Sequence, residues 1–133
     1  MKTLIIFPGK IGDALSLTSA IRRYKDEHPD HEIHWVYGHP MLGDLIRFLK
    51  RTDLPVDGYW PWEYKYEGNG NQMLEIKAKA EWQGMDWRAV FPGYDVYLNA
   101  TMTQQMPTRH LIEWAGKGVV DVERLPNPYL VIK

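Results

Sequence analysis

The sequence predicts a three-layer α/β fold, an open parallel sheet with helices on both faces. Three observations lead there. Residues 3–7 ("TLIIF") form an apolar, β-branched run without alternation, as in a strand buried on both faces. Strand-like runs then alternate with amphipathic helical segments. The links between them are short, which leaves right-handed βαβ crossovers and parallel pairing as the simplest arrangement. At 133 residues the chain is one domain by size, large enough for a single core.

Each element follows from its pattern. Ala14, Leu17, Ile21 and Tyr24 recur at helical spacing, with Arg22, Arg23, Lys25 and Asp26 opposite them, and Pro29 ends that helix near His28. A second strand is expected over 32–37 ("EIHWVY"), closed by Gly38. A second helix is expected over 41–51, with Leu42, Leu45, Ile46 and Leu49 inward. A third strand over 56–60 is kept short by Pro55 and Pro61, and the glycine–asparagine run at 68–71 is a turn. A helix over 71–90 is open to a break at Gly84. A fourth strand follows over 94–98 ("YDVYL"), then a helix over 107–115 with Pro107 in its first turn, and a short strand over 118–120. The closing "YLVIK" either adds a last strand or ends at the entrance to something else.

Composition narrows the function. The chain is 44% apolar and 25% charged with a formal net charge of −1, which removes the main electrostatic argument for nucleic acid as a partner. It has no cysteine, so disulfides, thiolate catalysis and thiolate-bound zinc are excluded. No run approaches the ~20 apolar residues of a membrane span. A cytoplasmic protein is expected, with a peripheral position at the inner membrane compatible with it.

The turn "PGKIGDA" carries the most chemistry. It matches neither the P-loop nor the dinucleotide fingerprint. Gly9 and Gly12 still permit close approach of a ligand, and ligands of open parallel sheets bind beyond the carboxyl ends of the strands. Asp13 then has two readings. It caps the helix, accepting a backbone N–H and complementing the dipole. Or it is a carboxylate at the mouth of a cleft, placed to take a proton from a substrate hydroxyl.

With its flanks, "LIIFPGKIGDALSLTSAIRRYKDEHPDHEIHWVYGHP" resembles the amino-terminal end of the bacterial heptosyltransferases, glycosyltransferase family 9. The matching positions are Pro8-Gly9, Ile11-Gly12-Asp13, Thr18-Ser19-Ala20-Ile21, Pro29 and the run from Glu32 to Val36. "YDVYLNA", Arg109 and "LIEWAG" resemble a later family segment. The resemblance implies a Rossmann-like domain, the amino-terminal half of a GT-B enzyme in which two such domains face across a cleft. This half presents the acceptor, a lipopolysaccharide-core saccharide, and the absent carboxy-terminal half binds the nucleotide-sugar donor. In that scheme Asp13 is the general base of an inverting displacement and no metal is needed. The helix dipole favours the ionised carboxylate, so positioning rather than basicity would carry the catalysis.

The expectation for residues 1–133 is therefore a single acceptor-side domain, inactive alone and without a cofactor of its own. It needs a second Rossmann-like domain, or covers its apolar face by self-association. The alternative is a non-catalytic Rossmann-like binding or interaction module. A small nucleotide-binding protein is poorly supported by the incomplete glycine pattern.

Other residues are candidates for acceptor binding. Lys10 meets an acceptor phosphate or is a solvated loop lysine. Thr18 supports the turn from one helical turn on, or is a satisfied core-edge residue. Arg109 binds an anionic or polyhydroxylated acceptor, or lies on a helix surface. Trp62, in "YWPWEYKY" with Trp60, Tyr64 and Tyr66, is a face for a sugar ring or a packing residue. His28, His31, His34 and His39 span a helix end, a turn and a strand, and lack the one-face spacing of a metal helix.

Overall fold

The structure, a computed structural model, describes residues 1–7, 11–39, 42–63, 81–100, 119 and 130–133. In chain order they form β1 (Lys2–Ile6), α1 (Ile11–Glu27), β2 (Glu32–His39), α2 (Gly43–Leu49), β3 (Gly58–Glu63), α3 (Trp87–Val90) and β4 (Val96–Asn99). The four strands make one parallel sheet in the order β3-β2-β1-β4. Ile6 stands opposite Val36 on one side and Asn99 on the other, and Val36 stands opposite Trp60.

Strand alternation divides the core between two faces. Ile5 and Phe7 from the first strand, and Ile33, Trp35 and Tyr37 from β2, pack against Ala14, Leu17, Ile21 and Tyr24 of α1 and Ile46 and Leu49 of α2. Leu4, Ile6 and Val36 face the other way, onto Trp82 and Trp87. Residues 81–84 are helical, so helices cover both faces of a three-layer α/β fold. The connections β1-to-β2 and β2-to-β3 step outward on one face. The chain then returns across the second face to place β4 beside β1, as crossovers of a single hand require when the direction of strand addition reverses.

The central elements follow their patterns. α1 ends at Glu27, two residues before Pro29, and the His28 N–H still bonds the Tyr24 carbonyl at 2.9 Å. On its buried side Ser16, Thr18, Ser19 and Ala20 are small, which lets the helix lie close to the sheet. The helical residues 81–84 and α3 meet at a bend at Met85, so the expected break at Gly84 is present.

Other boundaries differ. Gly38 does not close β2, which runs on to His39. β3 begins at Gly58, later than expected, and passes through Pro61 to Glu63. It is the outer strand of the described sheet, where a proline can sit without its missing N–H costing a ladder bond. α2 is shorter than the pattern predicts, and its last turn gives way to a turn at Lys50. Of the strand expected over 118–120, only Val119 is described, and it is a buried turn residue. The helix expected over 107–115 lies outside the described residues, as does 71–80 of the earlier one.

The closing segment does not join the parallel sheet. Ile132 forms an isolated antiparallel bridge with Thr52, and the Asp53 N–H bonds the Val131 carbonyl at 2.8 Å. Asp53 Oδ1 in turn accepts from Arg22 of α1 at 2.5 Å and from the Val131 N–H at 3.2 Å. These bonds, that of Arg22 foremost, hold the Asp53 carboxyl below the usual carboxylate range. The clamp is therefore fully present above that range and is lost as pH falls through the lowered folded value. Asp53→Asn is expected to remove this acid dependence and to speed hydrogen exchange at the Val131 amide. Unchanged exchange there would show that the bridge at Thr52 holds the segment alone.

Candidate active site at the reversal of strand order

The strand order reverses between β1 and β4, and it is beyond the carboxyl ends of such a pair that open α/β sheets form a crevice. The end of β1 is tied down on both sides. The Phe7 N–H bonds the Val36 carbonyl at 3.1 Å, and the Ala100 N–H bonds the Ile6 carbonyl at 2.9 Å. The fully buried Trp35 adds its indole N–H to the Phe7 carbonyl at 3.2 Å. Phe7 is the last described residue before α1, so a strand end held on both sides stands ahead of the helix.

α1 opens with Ile11 and Gly12 exposed and Asp13 half-buried in the first turn. The carboxylate thus lies at the carboxyl end of the sheet, next to the reversal. The Ser16 hydroxyl donates to the Gly12 carbonyl at 3.0 Å, which braces the same turn one helical turn on. A Cβ added at Gly12 meets no atom within 4 Å, and its backbone is not left-handed. No described neighbour requires glycine there, although glycine inside a helix costs up to about 1 kcal/mol relative to alanine.

The other candidates are not brought to one place. Thr18 is fully buried and gives its hydroxyl to the Leu15 carbonyl at 2.6 Å, inside the layer between α1 and the sheet. Trp62 is half-buried on the opposite face, 6.1 Å from Trp87 and 5.6 Å from Phe91 between ring centroids. Packing within the chain therefore occupies that ring. Of this aromatic run it is Trp60 that is exposed. Gly9, Lys10 and Arg109 lie outside the described residues, as do Tyr64 and Tyr66.

Asn99 was not singled out from the sequence. It ends β4 opposite Ile6, and its Nδ2 donates to the Trp82 carbonyl at 3.3 Å, which also accepts the Trp87 indole N–H at 2.8 Å. The legible signal was a polar residue at the close of an apolar strand ("VYLN"), at the end where ligands bind.

His28 and His31 serve packing. His31 Nδ1 lies 3.0 Å from the Thr3 hydroxyl and 2.8 Å from the Tyr24 hydroxyl, and His28 stacks on Tyr24. Among the described residues no group of three or more His, Asp or Glu could hold a metal ion. A cavity of about 420 Å³, lined by Lys50, Thr52, Tyr59 and Trp60 among others, lies where α2 ends and β3 begins. That is the opposite end of the sheet from Asp13. Among the described residues no helix is long and apolar enough to cross a membrane.

No family model matches the chain, and no curated protein matches it. In three dimensions it is similar to the E. coli heptosyltransferase WaaC, solved with ADP-2-deoxy-2-fluoro heptose, with a TM-score of 0.56 and 11% sequence identity. The match covers 96% of this chain and 50% of that one, so the chain spans half the length of the structure it resembles. The two share the α/β fold.

Proposed function

We propose that this chain is the acceptor-binding half of a heptosyltransferase-like inverting glycosyltransferase, with Asp13 as its general base. The observation that carries the reading is the place of Asp13, in the first turn of α1 beyond the carboxyl end of β1, where the strand order reverses. The likeness to half of a heptosyltransferase and the resemblance of the amino-terminal residues to glycosyltransferase family 9 support it.

In this reading a saccharide acceptor lies against the first turn of α1. As its hydroxyl oxygen bonds to the anomeric carbon of a nucleotide-sugar, the nucleotide leaves with the electron pair of the broken bond. The proton of that hydroxyl passes to Asp13. Proton transfer late in the step suits a well-placed carboxylate, since the attacking oxygen is acidic by then. Gly9, Lys10 and Arg109 are assigned to the acceptor, and the donor is left to a second Rossmann-like domain.

The test supplies a nucleotide-heptose donor and a lipopolysaccharide-core acceptor to the chain alone and to the chain joined to a donor-binding domain. Transfer is expected only in the second case. Turnover by the 133 residues alone would overturn the division of labour. Acceptor binding without transfer in the joined protein would point to a non-catalytic binding module instead.

Gly12→Ala separates stability from function at this site. Thermal unfolding is expected to show a gain of up to about 1 kcal/mol, because alanine favours the helix and its Cβ meets no described atom. Calorimetry is expected to show weaker acceptor binding, because the Cβ hinders the close approach to the backbone that glycine permits. Wild-type affinity in this variant would mean that the acceptor does not approach the helix there.

A further inference from the structure

Away from Asp13, one buried titratable group ties three elements together. His34 of β2 is 8% exposed, and its ring lies against Gly58 of β3, where an added Cβ would come within 3.4 Å of Nδ1. That is ordinary van der Waals contact, so the ring lies directly over the edge strand. Three polar atoms meet at that ring. Tyr94 Oη, on the run into β4, is 2.6 Å from His34 Nδ1. The indole Nε1 of Trp60 is 3.1 Å from the same Nδ1 and 2.9 Å from Tyr94 Oη. On the far side, Nε2 lies 3.2 Å from a Glu32 carboxylate oxygen, within ion-pair range but without hydrogen-bond geometry.

The donors fix the tautomer. An indole N–H can only donate, so the Nδ1 it points to carries a lone pair and the ring proton sits on Nε2, facing Glu32. Burial foremost raises the Tyr94 phenol above its ordinary value, so its hydroxyl keeps a proton to give to Nδ1. Trp60 thus has its N–H held by two acceptors while its ring remains 41% exposed on the edge strand.

We propose that His34 is a proton-controlled latch, which when neutral gives the Trp60 N–H of the edge strand a second acceptor beside Tyr94 and when protonated sets a donor against it and leaves Tyr94 Oη alone to hold it. Protonation places a hydrogen on Nδ1, which then faces the Trp60 N–H donor to donor. Tyr94 Oη is left as the one acceptor for both, and its own hydrogen must turn away. The change also gives the Glu32 carboxylate a full ion pair, so the cationic ring has a partner on that side. The groups around the ring are Glu32 from β2, Gly58 and Trp60 from β3, Tyr94 ahead of β4, and Leu4 in the facing row of β1. Tyr97 lies behind Tyr94 at 5.9 Å, with the Arg88 guanidinium over its ring. Of the described residues, Glu32 is the charged group that meets His34 directly.

The experiment follows the His34 ring and the Trp60 indole N–H of the 133-residue chain by NMR as pH is lowered, with Trp60→Phe identifying the indole signal. The expected result is that the indole resonance shifts and loses its protection from exchange over the same pH range in which His34 gains its proton. In His34→Asn, which keeps an acceptor near the position of Nδ1 but cannot titrate, the indole signal is expected to stay put. A His34 ring that titrates with no response from Trp60 overturns the proposal. So does one that stays neutral until the chain unfolds, or an indole shift that persists in His34→Asn.

Discussion

Asp13→Asn in the completed enzyme is expected to lower sugar transfer by about 10²–10⁴-fold, the span usual for loss of a positioned general base. Asparagine keeps the size of the side chain and its capacity to cap the first turn of α1, so the fold and acceptor affinity should hold. That separation matters because the bland role of this residue is structural. If Asp13 only stabilised the helix, the amide would serve nearly as well and transfer would survive. Measuring kcat and acceptor KM separately decides it. A drop confined to kcat supports the base, a rise confined to KM makes Asp13 a binding residue, and wild-type transfer removes it from the chemistry.

Trp35→Ala is expected to have the largest effect on stability, about 3–5 kcal/mol by the usual cost of emptying a buried aromatic site. Trp35 is fully buried in the layer between the sheet and the first two helices, and Tyr59 lies beside it with ring centroids 6.0 Å apart. Its indole N–H also holds the Phe7 carbonyl, the last described anchor before the helix that carries Asp13. Trp35→Phe divides the two roles. It restores much of the volume but not the bond, and is expected to cost less while still loosening the end of β1. Denaturant unfolding gives the stabilities, and hydrogen exchange at the Phe7 amide, which bonds Val36, reports the strand end. Equal stability of Trp35→Ala and wild type would contradict the burial on which the core assignment rests.

Much of this was legible because burial has a period. The unbroken apolar run at 3–7 marked a strand covered on both sides, and that is where β1 lies, at the interior of the sheet. The spacing of Ala14, Leu17, Ile21 and Tyr24 marked the face of α1 that reaches the core. The first turn holding Gly12 and Asp13 was legible for the same reason, since a strand ending before glycine and an amphipathic helix starting after it leave one place for the turn. The aromatic run was harder. Trp60 and Trp62 have the same parity in one strand and differ in what lies over them. Trp62 meets Trp87 and Phe91, while Trp60 is held at its indole edge by His34 and Tyr94.

The order of residues was enough to set the element types, the parallel α/β class and the presence of an acid at the start of the first helix. Local propensity and periodicity report what covers each residue, and a handful of neighbouring positions contain them. Only the tertiary structure decided that β4 lies beside β1 rather than beyond β3, and so that Asp13 stands at a reversal of strand order. It also decided that the closing segment bridges to Thr52 and leaves the sheet alone. An apolar strand carries the same pattern whichever strand it pairs with. Its neighbour is chosen by crossover handedness and by which helical face remains uncovered, and those are properties of the assembled layers.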